Sequence, residues 1–162
     1  MASQSETLAR LWRRLAPWPG GSWVFSRIFG WFVPYSNTVG ARILELAPGL
    51  CRVAMADRRR VRNHLRSIHA VALVNLGEQT SGLAMTVALP PGIRGIVTEI
   101  GAVYHKKARG NLLAVARATP PREVTDPVDH RVETVITDSA GEEVCRVHTI
   151  WRLARTSTAP AQ

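Results

Sequence analysis

The stretch from Ile68 to Val87 carries apolar residues on almost every side of a helical wheel: Val71, Ala72, Leu73, Val74, Leu76, Leu83, Ala84, Met85 and Val87. A helix of that kind is buried, and Pro90-Pro91-Gly92 ends it. On either side the period falls to two. A short strand over Ala41 to Ala47 turns at Pro48-Gly49 into a partner, Leu50 to Ala56, and the basic connection Asp57 to Asn63 leads to the helix. Beyond the helix, Ile93 to His105 reads as a long strand with Ile96, Thr98, Ile100, Ala102 and Tyr104 on one face. Asn111 to Thr119 is another, and His130 to Thr137 with Glu143 to Leu153 forms a hairpin closed by Asp138-Ser-Ala-Gly141. In the last strand Cys145, Val147, Thr149, Trp151 and Leu153 alternate with Arg146, His148 and Arg152, a two-faced pattern. The class is α+β. A helix that needs cover on several sides is best served by a strongly curved antiparallel sheet wrapped around it.

Residues 1–33 stand apart as an N-terminal helical appendage. Leu8, Leu11, Trp12 and Leu15 have helical spacing with Arg10, Arg13 and Arg14 on the other side, Pro17 to Gly21 breaks the segment, and Ser22 to Phe32 forms a second short helix. The stretch faintly resembles an organelle transit peptide, and it could also lie on a membrane surface. Four of the five tryptophans fall here, which favours a third reading: the aromatics pack on the body of the domain or line its binding tunnel. Residues 34–155 make the main domain, and 156–162 a disordered tail.

With 162 residues, 46% apolar and 20% charged, the chain is one globular domain with a real core. No apolar run is long enough to span a bilayer, so stable membrane insertion is not expected. Cys51 and Cys145 lie in strand-like segments without metal spacing, which points to buried thiols and a cytoplasmic protein, with no metal and no cofactor. The formal net charge is +9, almost all from arginine, Lys106 and Lys107 being the only lysines. Arginine, alanine, proline and glycine bias together reads mainly as compositional background. Few aromatics interleave with the basic residues and no RNA-binding or zinc motif occurs, so nucleic acid is not an expected partner.

Asn63, His69 and Glu78 frame the apolar helix at separations of six and nine residues. A carboxylate in so apolar a helix is costly unless something satisfies it. With the order strand, strand, helix, strands, this triplet resembles the hotdog fold, and more narrowly the phenylacetate-pathway branch of hotdog acyl-CoA thioesterases. That branch carries Asn, then His-Gly-Gly six residues on at the helix entrance, then Asp or Glu nine residues further. Tyr104 to Gly110 loosely echoes a turn that follows the helix in the family, and the similarity covers about Pro34 to Leu153. Two positions depart from the pattern: His69 is followed by Ala70 and Val71 instead of two glycines, and Lys107 stands where the turn has proline.

The resemblance implies an acyl-CoA thioesterase that releases a fatty or aryl acid and CoA. A helix N-terminus offers free amides and partial positive charge for a developing oxyanion, and by the family match the amide of Ala70 is placed for it. Asn63 would donate to the same oxygen or position water, and Glu78 would act as general base, or as nucleophile through an anhydride, with burial raising its pKa. His69 mostly shapes the entrance turn. Lys106, Lys107 and Arg109 would meet the CoA phosphates, whereas Arg58, Arg59, Arg60 and Arg62 read as a solvated face. In related enzymes the carboxylate and the Asn face each other across a subunit interface, so a homodimer is implied, possibly a dimer of dimers. The substrate would be an acyl-CoA or acyl-carrier thioester. The competing reading is a non-catalytic hotdog dimer that binds acyl-CoA or fatty acid, which the missing glycines would permit. A hydratase comes third, because its His lies further from the acid than nine residues.

Overall fold

The computed structural model describes residues 4–156. Two helices, α1 (Gln4–Leu15) and α2 (Gly21–Phe32), precede the strands β1 (Arg42–Ala47) and β2 (Leu50–Met55). The central helix α3 (Ala70–Ala88) follows, then β3 (Ile93–Tyr104), β4 (Leu112–Arg117), β5 (Val128–Thr137) and β6 (Glu143–Arg155). All pairings are antiparallel, in the order β1-β2-β4-β5-β6-β3. The six-stranded sheet curves around α3. This is the hotdog architecture that the resemblance implied.

The alternation expected of β6 is the one observed: Cys145, Val147, Thr149, Trp151 and Leu153 are buried, while Arg152 is exposed. α3 is buried along most of its length, at Leu73, Leu76, Leu83, Ala84 and Met85 among others. It lies so close to β6 that a Cβ on Gly77 would sit 2.4 Å from the Cβ of Val147. Glycine at that point sets the helix-to-sheet distance. Buried hydroxyls fix the register between the layers. Thr134 donates to the Gly77 carbonyl at 2.9 Å, and Thr149 donates to Ser81 at 3.1 Å while accepting from the Trp151 indole at 2.9 Å.

β3 departs from the expected pattern. A bulge between Val97 and Glu99 puts Ile96 opposite Arg152 on the outer face, whereas Ile100 lies opposite Thr149 on the inner one. One inserted residue flips the alternation, so Ile96 to Tyr104 do not share a face. β3 is also an edge of the sheet. Thr156, the first residue of the expected tail, bonds to the Gly92 carbonyl at 2.8 Å through its amide; residues 157–162, on which the rest of that expectation falls, lie outside the described residues, as do 1–3.

α1 and α2 pack on the body through an edge-to-face contact of Trp12 and Phe25 with centroids 5.0 Å apart. Ser22 and Ser26 of α2 pin it to β1, Ser22 donating to the Ile43 carbonyl at 2.6 Å and Ser26 accepting from the Ile43 amide at 2.9 Å. Of the N-terminal aromatics, Trp12 and Phe25 are buried in the core and Phe29 packs against it. Trp18, Trp23 and Trp31 are exposed instead, because a helix lying on a surface has only one buried face, and Phe32 is exposed at the rim of the cavity that α2 lines. No described helix is long and apolar enough to cross a membrane.

Candidate active site

Asn75, Glu78, Gln79, Gly82 and Thr86 recur at helical spacing on α3 and interrupt its apolar wheel with one polar stripe. The sheet covers most of the remainder, including the buried hydroxyls of Thr80 and Ser81, and the stripe faces the N-terminal helices and the turn that follows them. Between them lies a cavity of about 570 Å³. Its floor includes Glu78, Gln79, Gly82 and Thr86, and its walls are Leu8 and Leu11 of α1, Phe25, Ile28, Phe29 and Phe32 of α2, and Trp151 of β6. The Ser81–Thr149–Trp151 chain holds that indole against Gly82, where a Cβ would meet the ring at 3.4 Å.

Glu78 is half-buried in this cavity. Its carboxylate has no hydrogen bond or ion pair among the described residues, and burial pushes its pKa up from the ordinary value. Gln79 beside it is buried, and its Oε1 also lacks a partner. Native interiors leave few such groups unsatisfied. Two adjacent ones lining an apolar-walled cavity suit a ligand that brings both hydrocarbon and polar atoms.

At the other end of α3, His69 is the N-cap. Its Nδ1 accepts from the Val71 amide at 3.2 Å, and its carbonyl accepts from Ala72 and Leu73. The Ala70 amide has no acceptor among the described residues and lies at the exposed helix entrance. Asn63 shapes the loop before it, its Oδ1 accepting from the amides of Leu65 at 2.9 Å and Ser67 at 3.2 Å. A smaller cavity of about 220 Å³ opens here, lined by His69, Val71, Arg60, Arg62 and Asn75. Asn75 donates to the Tyr35 carbonyl at 3.2 Å, while its buried Oδ1 is unpartnered. Ala70 and Glu78 are eight residues apart on α3, about 12 Å along the helix axis. Within one chain, therefore, the free amide and the carboxylate cannot act on one carbonyl.

The turn between β3 and β4 docks on the same entrance, the Ala108 carbonyl accepting from the Ile68 amide at 2.8 Å. Lys107 and Arg109 flank Ala108 and are exposed. Lys106 differs from them. It pairs with Asp138 at 2.7 Å and with Glu142, and those carboxylates raise its pKa. Its charge is thus paired within the protein. Arg62 is likewise paired, to Asp57 at 2.6 Å.

Both cysteines are buried and free; burial pushes the Cys145 thiol up to about 11 and raises Cys51 as well, which suits core residues and not nucleophiles. Among the described residues no group of three or more His, Cys, Asp or Glu side chains could hold a metal ion. The sequence reading missed Gln79 and Trp151. Gln79 was detectable, since it stands four residues after Asn75 and shares the polar stripe; Trp151 was read only as an inward-facing strand residue.

The profile of a family described as a domain of unknown function, DUF4442, matches residues 21–153. No curated protein matches the chain. Among solved structures, the chain is similar to a protein designated genomics APC5556, with 26% identity and a TM-score of 0.81 over 93% of this chain and 99% of that one. A protein of unknown function from Pseudomonas aeruginosa, named as a probable thioesterase, has 23% identity and a TM-score of 0.71 over 78% of this chain and 91% of its own. A thioesterase from Haemophilus influenzae has 16% identity and a TM-score of 0.65, covering 75% and 82% respectively. At such identities the last two are likenesses of fold.

Proposed function

The chain belongs to the DUF4442 family of domains of unknown function, and we propose that it hydrolyses an acyl thioester, with Glu78 as general base and the acyl chain held in the cavity beneath α1 and α2. The observation that carries this reading is the unpartnered, half-buried Glu78 carboxylate in an apolar-walled cavity, its pKa raised by burial toward a range useful for proton transfer. The hotdog fold, shared with the probable thioesterase of Pseudomonas aeruginosa and the thioesterase of Haemophilus influenzae, supports the same reaction class.

In this reading Glu78 takes a proton from water as its oxygen attacks the thioester carbonyl. The tetrahedral oxyanion then collapses, the carbon–sulfur bond breaks, and the thiolate leaves with the proton returned through the carboxyl group. The Glu78 carboxylate attacking directly, to give an anhydride that water opens, is the covalent variant of the same chemistry. The oxyanion needs donors that Glu78's own helix entrance is too distant to supply, so the Ala70 amide and the Asn63 side-chain amide come from a second copy. The active form is then a homodimer with two sites, and β3, an exposed sheet edge with Ile96, Ile100, Val103 and Tyr104 at the surface, is a natural place for that copy to pair. Lys107 and Arg109, beside the same entrance, would hold the phosphates of CoA. The narrower assignment to the phenylacetate-pathway branch rests on the Asn63, His69 and Glu78 spacing, the element order and the looser echo over Tyr104 to Gly110.

A panel of acyl-CoA esters, followed by release of free thiol, tests the proposal. Glu78→Gln and Asn63→Ala should be nearly inactive while remaining folded, and unchanged turnover in Glu78→Gln would sink the mechanism. One observation favours a second reading, a binding module: the capped Val71 amide and the side chains at Ala70 and Val71 narrow the entrance that glycines open in the family. Saturable fatty-acyl binding without turnover on any ester would establish it instead.

A further inference from the structure

The outward side of α2 is an unusual surface. Trp23, Arg27 and Trp31 recur every four residues along it, with the Arg27 guanidinium 5.8 Å from the centre of the Trp23 ring. Trp23 is 59%, Trp31 77%, Phe32 70% and, in the turn before α2, Trp18 71% exposed. Tyr35 continues the patch just beyond the helix. Large aromatic side chains left this open mark an interaction site.

The charges around the patch are predominantly of one sign. Arg10, Arg13 and Arg14 are exposed on α1, and Arg42 reaches Ser22 in the first turn of α2 at 3.0 Å. Glu6 is the only acidic residue in the first 40 positions. Exposed tryptophans set among arginines are the composition of a surface that sits at the boundary of headgroups and acyl chains, the rings entering the interface and the guanidinium groups meeting lipid phosphate. We propose that α1, α2 and the turn between them dock this protein on anionic lipid bilayers.

The charge of the patch argues against a second copy as the occupant. A two-fold contact sets a patch against itself, which here would bring arginine against arginine. β3 meanwhile, as an edge strand of the sheet, offers a second copy another place to pair. Phe32 and Val33 add a further link, since both are exposed and both line the large cavity. The rim of the cavity therefore lies within the aromatic surface, and docking would bring it against the lipid. The docking itself does not depend on the hydrolase reading.

Co-sedimentation of the full chain with vesicles of equal parts phosphatidylglycerol and phosphatidylcholine, against phosphatidylcholine alone, tests this, with tryptophan emission recorded alongside. The chain should pellet with the anionic vesicles, shift its emission to the blue, and bind neutral vesicles far more weakly. Trp23→Ser and Trp31→Ser should each lower the partition coefficient about tenfold, and Arg13→Gln and Arg14→Gln about fivefold each, all with unchanged melting and thioester turnover. Absence of sedimentation of the wild-type chain would overturn the proposal. So would Trp31→Ser dissociating an oligomer in sedimentation velocity without changing vesicle binding, because that assigns the face to another protein copy.

Discussion

Replacing Ala70 by proline is the most selective probe of the oxyanion site, because it deletes one hydrogen-bond donor and little else. Ala70 is the first residue of α3, where proline is favoured because its missing N–H is one the helix cannot use. His69 before it has φ −66° and ψ 139°, the extended geometry that a residue preceding proline prefers. The Ala70 amide has no acceptor to lose, and the Tyr104 hydroxyl, which donates to the Ala70 carbonyl at 3.3 Å, keeps its partner. Folding should be almost indifferent to the change. If that amide stabilises the tetrahedral oxyanion, its removal should lower kcat roughly 10²–10³-fold, the usual cost of deleting one such donor. The assay is thiol release from the best ester of the panel, with melting temperature measured in parallel and Ala70→Gly, which retains the amide, as control. An Ala70→Pro variant that melts like the wild type and turns over at the same rate would refute the assignment.

Glu78→Gln should be more stable than the wild type at neutral pH while losing turnover. Burial raises the carboxyl pKa in the folded state, so the contribution of Glu78 to stability is fully present below the ordinary carboxylate range and is lost as pH rises through the raised value. The glutamine has no such loss. For a half-buried, unpartnered group the gain is about 1 kcal/mol after allowing for solvent screening, or roughly 2–4 °C in Tm, and it should vanish toward about pH 4; a melting series that shows no pH-dependent difference contradicts the burial argument. Thr86→Phe, which projects into the large cavity, should cut kcat/KM for the longest accepted chains roughly tenfold or more and spare short ones, measured across the ester panel. Lys107→Ala with Arg109→Ala should raise KM for CoA esters about tenfold, whereas Lys106→Ala, whose cation is already held by Asp138 and Glu142, should leave KM where it is.

The architecture was legible because period and element length suffice to distinguish a buried helix from two-faced strands, as in β6. What resisted reading were features set by single residues in tertiary context. The β3 bulge at Val97–Glu99 has no local signal such as a glycine, and it moved Ile96 to the outer face. Lys106 could not be told from Lys107 by sequence, since its partners Asp138 and Glu142 arrive from a distant hairpin. Glu78 was identified as an anomaly, but the cavity around it depends on how α1 and α2 sit on α3. Its neighbours Gln79 and Thr86 become visible only when the polar stripe is read as one face instead of as exceptions to an apolar helix.

That stripe explains why a hotdog chain of this kind carries two extra helices. The curved sheet covers the apolar sides of α3 and leaves Asn75, Glu78, Gln79 and Thr86 facing away from it. Left open, these positions would be hydrated, and Glu78 would keep an ordinary pKa. α2 closes them with a stripe of its own: Phe25, Ile28 and Phe29 are spaced to face inward, with Phe32 at the cavity rim, and Phe25 is fully buried. The cover is apolar, so the cavity it makes has greasy walls over a polar floor, and the Glu78 carboxyl is desolvated without being neutralised. The same helical period that turns Phe25 and Phe29 inward turns Trp23 and Trp31 outward. The helices that keep Glu78 partly dry thus also present the protein's most aromatic exposed face, and no substitution on the inward stripe is needed to test the outward one.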